Sequence, residues 1–134
     1  MTGVQTCALP ISEAKEYEQA LSVFRKGDFS GAASSFGDFV RRYSQSPYLS
    51  LSLFWLGNAQ YATKDYKSAI ASFRQLINGS PDHPRVPEAM LAIANCQLEI
   101  KEPAAARKTL GELIKTYPTT EAAGAAKERL SKLK

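Results

Sequence analysis

Histidine occurs once, tryptophan once and cysteine twice in 134 residues, and no apolar run approaches the roughly 18 residues that a membrane-crossing helix needs. Each scarcity removes a class of function. His83 stands alone in PDHP with no Ser, Cys or Asp motif beside it to build a nucleophilic relay, so it reads as a solvent-facing loop residue. Two cysteines make neither a disulfide framework nor a zinc site, and Cys96, the one in a periodic segment, reads as a small buried thiol. The glycines never fall into a phosphate-cradling GxGxxG or GxxxxGK pattern. Carboxylates are dispersed, without metal-ligand spacing. The expectation is no catalytic site, no cofactor and no metal. Charge of one sign is also thin: 17 Lys+Arg against 13 Asp+Glu leaves +4, with adjacent basic pairs only at Arg25-Lys26, Arg41-Arg42 and Arg107-Lys108. That is too little, too scattered, for a nucleic-acid footprint.

A repeat is present. Segments 26–44, 63–81 and 100–118 align at a constant offset of 37 residues. Ala32, Ala69 and Ala106 coincide, as do Phe36, Phe73 and Leu110, then Phe39, Leu76 and Leu113, then Val40, Ile77 and Ile114. Each unit reads as two helices. In the second, the apolar spacing predicts a helix over about 48–63, a turn closed by Lys64, and a following helix that Asp65 caps and that ends near Asn78 before Gly-Ser-Pro. Asp28 and Glu102 hold the equivalent cap positions. A last helix, EAAGAAKERLSKL, opens on Glu121 and closes with Lys132 and Lys134, as the helix dipole favours. The predicted architecture is all-α, a solenoid of three hairpins at about 13–46, 47–83 and 84–118, with a capping helix over 119–134.

LGNAQYATKDYKSAIASFRQLINGSP (56–81) resembles the tetratricopeptide repeat, whose signature Leu-Gly, small Ala, aromatic and closing Pro correspond to Leu56-Gly57, Ala69, Phe73 and Pro81. Gly57, with Ala20 and Ala94 at the equivalent places, lets paired helices approach closely. The period of 37 departs from the usual 34, with PDHPRVP carrying the extra length. Over the whole chain, FWLGNAQYATKDYKSAI and YPTTEAAGAAKERL are similar to the C-terminal domain of the Tol-Pal associated cell division coordinator family, CpoB/YbgF.

That resemblance implies a periplasmic protein-interaction domain coordinating septal peptidoglycan synthesis with outer-membrane constriction. The implied partners are a TolA-like protein and a penicillin-binding peptidoglycan synthase complex. The family also carries a secretory leader and a trimerising coiled coil. Residues 1–11, MTGVQTCALPI, lack the basic start of a leader and match the translation of a common sequencing-library adapter read from GTG. They are expected to be an artefact outside the fold, with natural sequence beginning at Ser12 or Glu13 of a truncated gene. A scaffold in outer-membrane or lipoprotein assembly, which uses similar lengthened repeats, is the alternative.

Groove positions carried over from the repeat family fall on Tyr17, Leu21, Phe24 and Arg25 in unit one. They fall on Phe54, Asn58, Tyr61 and Ala62 in unit two, and on Leu91, Asn95, Leu98 and Glu99 in unit three. Leu21, Leu91 and Leu98 also suit a core. Phe54, Asn58, Tyr61 and Asn95 are the stronger contacts, since aromatic bodies give area and an amide can hold a peptide backbone. Chaperone-binding relatives place a carboxylate-clamp lysine four residues before that Asn. Here Phe54 and Leu91 replace it, which argues against recognition of an acidic C-terminus.

Overall fold

Each of the three repeats turns on a residue with positive φ, and the three lie 37 apart: Gly27 at 86°, Lys64 at 67° and Lys101 at 64°. At each turn the next N–H reaches back over the helix end, Asp28 to the Val23 carbonyl (3.3 Å), Asp65 to Gln60 (2.8 Å) and Glu102 to Gln97 (2.8 Å). This six-residue closure satisfies the last carbonyls of one helix while starting the next. The computed structural model describes the backbone of residues 2–133 and the side chains of residues 13–133. Among the described residues there are seven helices and no strand: α1 Thr2–Arg25, α2 Phe29–Arg42, α3 Leu49–Ala62, α4 Tyr66–Gly79, α5 Val86–Glu99, α6 Pro103–Thr116 and α7 Glu121–Ser131. The backbone of α1 is helical from Thr2, whereas the side chains of residues 1–12, which include the adapter-like stretch 1–11, lie outside the described ones.

Capping differs from expectation at two of the three hairpins. The Asp28 carboxylate accepts from Gly31 N–H at 2.9 Å, and Thr120 Oγ1 accepts from Ala123 N–H at 3.1 Å. Asp65 occupies the N-cap of α4 and Glu102 that of α6, as predicted, yet neither side chain accepts a cap bond. The backbone closes all three turns alike, with Ala32, Ala69 and Ala106 N–H donating to the carbonyls of Asp28, Asp65 and Glu102, and both Asp65 and Glu102 are exposed.

Even-numbered helices bury one stripe each: Ala32, Phe36 and Phe39 in α2, Ala69, Phe73 and Leu76 in α4, Ala106, Leu110 and Leu113 in α6. Burying each aromatic contributes about 1.5–3 kcal/mol. Odd-numbered helices are enclosed more fully. α3 packs against α1, α2, α4 and α5, and buries Ser52, Leu53, Phe54, Leu56, Gly57 and Ala59 on nearly every side. The odd helices touch their odd neighbours in series, α1 to α3 to α5 to α7, while α2, α4 and α6 do not approach one another. A stack tight along one row and splayed along the other is curved. The odd row is therefore the inner, concave face.

Candidate concave binding face

The curvature places the predicted groove residues on the inner row but not all on its surface. Tyr17 and Phe54 are buried, 6% exposed each, because the start of the next odd helix covers them. Tyr48 stacks on Tyr17 with ring centroids 4.8 Å apart, and the Arg85 guanidinium lies 5.2 Å over the Phe54 ring. Residues 48 and 85 are again 37 apart. At the third equivalent place the side chain shrinks to Ala122, and Leu91 is half-buried in the cluster that Ala122 completes. Leu98 joins the same cluster, with Leu130 and Leu133 beside it. These four predicted contacts, with buried Leu21, are first of all packing residues.

What remains accessible is a run of half-buried groups. Phe24 packs edge-on to Phe29 (5.2 Å) and tilted against Trp55 (5.2 Å). Tyr61 repeats the arrangement against Tyr66 (5.4 Å). Arg25 is exposed at the end of α1. Trp55 spans α1 and α3, donating Nε1–H to the Tyr17 hydroxyl at 3.0 Å and leaving its indole body partly in solvent. Trp55 is not among the expected groove residues, although it is the sole tryptophan and stands beside one of them.

The two equivalent asparagines differ in how they are held. Asn58 Nδ2 donates to its own helix, to the Phe54 carbonyl at 2.9 Å. Asn95 Oδ1 instead accepts from Arg129 Nη1 of α7. A backbone carbonyl can only accept and a guanidinium can only donate, so the partners fix both amide orientations. Arg129 was also missed. It extends the repeat register, lying 37 beyond Ala92 and 74 beyond Trp55, so α7 behaves as the first helix of a fourth unit.

Tyr61 and Tyr66 titrate above their ordinary value, through burial first and then the nearby Glu99 charge. Cys96 is fully buried, and burial with Glu99 beside it pushes the thiol up to about 11, so it stays protonated and inert at neutral pH. His83 Nδ1 accepts from the Arg85 backbone N–H at 3.1 Å, a loop-fixing bond. Among the described residues no three His, Cys, Asp or Glu side chains gather to hold a metal ion, and no helix is long and apolar enough to cross a membrane. Clefts lie between the starts of α5 and α7 at Pro84, Pro87, Thr120 and Ala122, at Tyr43 to Pro47, and over Met90 and Ile93, while Phe24, Trp55, Asn58, Tyr61 and Asn95 form a broad row of half-buried groups. Such a surface suits an extended chain segment better than a small molecule.

Residues 10–134 match the family described as YfiO, outer membrane lipoprotein. The chain belongs to the YfiO family. Outer membrane protein assembly factor BamD of Xylella fastidiosa (strain 9a5c) is 28% identical over 71 residues, which are 53% of this chain and 24% of BamD. The matched stretch thus spans about a quarter of the curated relative. Among solved structures, the Yersinia enterocolitica type III secretion chaperone SycD in complex with a peptide of the translocator YopD superposes with a TM-score of 0.72. It is 20% identical, over 90% of this chain and 87% of SycD. The second tetratricopeptide domain of human RPAP3, in complex with an HSP70 peptide, gives 0.75 at 14% identity, over 92% of this chain and 98% of that domain. Those two likenesses establish the tetratricopeptide fold of this YfiO-family chain. The Tol-Pal assignment is finer than any of these matches.

Proposed function

We propose that this chain is a non-catalytic protein-interaction domain of the bacterial periplasm, and that its concave face receives an extended segment of a partner protein. The carrying observation is the unbroken inner row of odd helices, along which Phe24, Trp55, Asn58, Tyr61 and Asn95 stay partly accessible while their neighbours are packed. Aromatic bodies there offer contact area, and the two amides offer hydrogen bonds to a main chain. SycD and RPAP3, which share this fold, were each solved with a peptide bound.

The finer reading is a Tol-Pal associated coordinator of septal peptidoglycan synthesis and outer-membrane constriction, whose partners are a TolA-like protein and a penicillin-binding synthase complex. The resemblance through FWLGNAQYATKDYKSAI and YPTTEAAGAAKERL supports it. A second reading, a scaffold in outer-membrane protein assembly, is favoured by the YfiO family match and the BamD relative. Trp55 fluorescence separates them. Saturable change with the purified periplasmic region of a TolA-like protein, lost in Tyr61→Ala, supports the first; change only with an outer-membrane β-barrel precursor supports the second. Binding of either, measured by titration calorimetry, that Trp55→Ala, Asn58→Ala and Tyr61→Ala all leave intact would remove the concave face from the function.

A further inference from the structure

The outer row of helices carries charge that the middle of the inner row lacks. α2, α4 and α6 hold seven cationic side chains against two acidic ones, whereas α3 has no Asp, Glu, Lys or Arg, α5 has only Glu88 and Glu99, and α1 and α7 mix both signs. Helical register decides where the outer cations point. Positions 67, 71, 74 and 78 of α4 share the side opposite its buried stripe of Ala69, Phe73 and Leu76. Their equivalents are 30, 34, 37 and 41 on α2 and 104, 108, 111 and 115 on α6. All of these positions except Gly37 are exposed. They hold Arg41, Lys67, Arg74, Lys108 and Lys115 and no acid, and every other residue among them is Gly, Ala, Ser or Asn. Two acids flank the row. Asp38 pairs with Arg41, while Glu112 lines a cleft together with Arg74 without forming an ion pair. Lys67, Arg74, Lys108 and Lys115 therefore have no ion-pair partner among the described residues.

Cations scattered along three repeats of the sequence are thus gathered by the fold onto one acid-free convex face. That face has charge without shape. No apolar side chain projects among the cations to anchor a folded partner; the apolar groups lie lower, in the cleft over Met90 and Ile93. Because α2, α4 and α6 do not approach one another, the cations stand on separate ridges. Mobile headgroups can collect at each ridge independently, whereas a partner of fixed geometry would have to match all of them at once. We propose that the convex face lies against an anionic lipid surface through Lys67, Arg74, Lys108 and Lys115, leaving the concave row turned away from it and free. The face uses no residue of the inner row, so it stands whether or not the concave row receives a partner segment.

The test is flotation with phosphatidylcholine vesicles, with or without about one third phosphatidylglycerol, at about 50 mM salt. The chain is expected to float with the anionic vesicles alone, and to be released at about 500 mM salt, where screening shortens the reach of each charge. Lys67→Gln, Arg74→Gln, Lys108→Gln and Lys115→Gln each lower partitioning about fivefold, and the four together abolish it. Lys15→Gln, Lys26→Gln, Lys127→Gln and Lys132→Gln combined remove the same charge from exposed positions outside the outer helices and lower it far less. Thermal unfolding checks that both quadruple variants fold, and the single variants carry the test if one does not. Equal flotation with neutral vesicles, no flotation with either kind, or equal losses in the two quadruple variants overturns the lipid surface. So does retention on immobilised polyglutamate that the convex variant loses, without any vesicle binding, which would assign the face to an acidic polypeptide.

Discussion

Repeats two and three carry the same backbone around different side chains, and the differences come in compensating pairs. Where repeat two has Gly57 facing Phe73, repeat three has Ala94 facing Leu110, all at the same register. A Cβ on Gly57 would meet the Phe73 ring at 2.6–2.8 Å, inside any real contact. Removing one methyl from one helix makes room for an aromatic on its partner, and the space between them is filled in both units. Repeat one pairs Ala20 with Phe36, its ring edge-on to Tyr17 at 6.0 Å, so the combination is tolerated once the ring is placed to suit it. Polar contacts follow the same logic. Ser72 Oγ donates to Gln60 Oε1 at 2.7 Å in repeat two and Thr109 Oγ1 to Gln97 Oε1 at 2.8 Å in repeat three. Repeat one, with Val23 at the glutamine position, does without the bond. What is preserved from unit to unit is filled volume and satisfied hydrogen bonds, not residue identity.

The sharpest way to break the comparison is Gly57→Ala. Overpacking against Phe73 costs about 2 kcal/mol, less than the bare clash implies because alanine favours helix and the ring can shift as Phe36 has. Adding Phe73→Leu reproduces the repeat-three pair and recovers most of that loss, a non-additivity that denaturant unfolding of the two single variants and the double variant measures directly. Independent, additive losses would mean that the two residues do not share one space.

Next in size is Gln60→Leu, which leaves the buried Ser72 hydroxyl without an acceptor and costs about 1.5 kcal/mol. Gln97→Leu costs less, because the Thr109 hydroxyl also reaches the Ala105 carbonyl at 3.0 Å and falls back on it. Equal losses in the two repeats would refute that difference. A gain is expected at Ser52, fully buried with an Oγ that has no partner, where repeat three has Ala89, equally buried. Ser52→Ala should raise stability by about 1 kcal/mol in the same unfolding assay.

Much of this was legible in the sequence because the fold depends on local spacing repeated. The coincident positions 32, 69 and 106, and 36, 73 and 110, are all fully buried, and the hairpin turns fall where Lys64 and its equivalents put them. Exposure along the concave row was less legible. Tyr17 and Phe54 sit at positions where the repeat family presents side chains, but Tyr48 and Arg85, more than thirty residues later, cover them. Periodicity within a unit says nothing about the reach of a long side chain from the next one. Arg129 was hidden for the same reason: its bond to the Asn95 amide exists only because α7 docks against α5.

The smallest effect concerns the hairpin turns, where repeat one differs from the other two. Gly27, Lys64 and Lys101 share positive φ, a region in which a side-chain Cβ crowds the following carbonyl, and only repeat one uses the residue without a Cβ. Lys64→Gly and Lys101→Gly each relieve that crowding, but each also adds conformational freedom to the unfolded chain, which offsets part of the gain. The net expectation is a stabilisation of about 0.5 kcal/mol per site, additive because the turns are separate, whereas Gly27→Lys destabilises by about 1 kcal/mol. A Cβ at residue 27 would meet nothing within 4 Å, so that loss would come from backbone strain alone. Should Gly27→Lys prove neutral, the turns are set by the back-reaching N–H bonds of Asp28, Asp65 and Glu102, and glycine at the first of them is incidental.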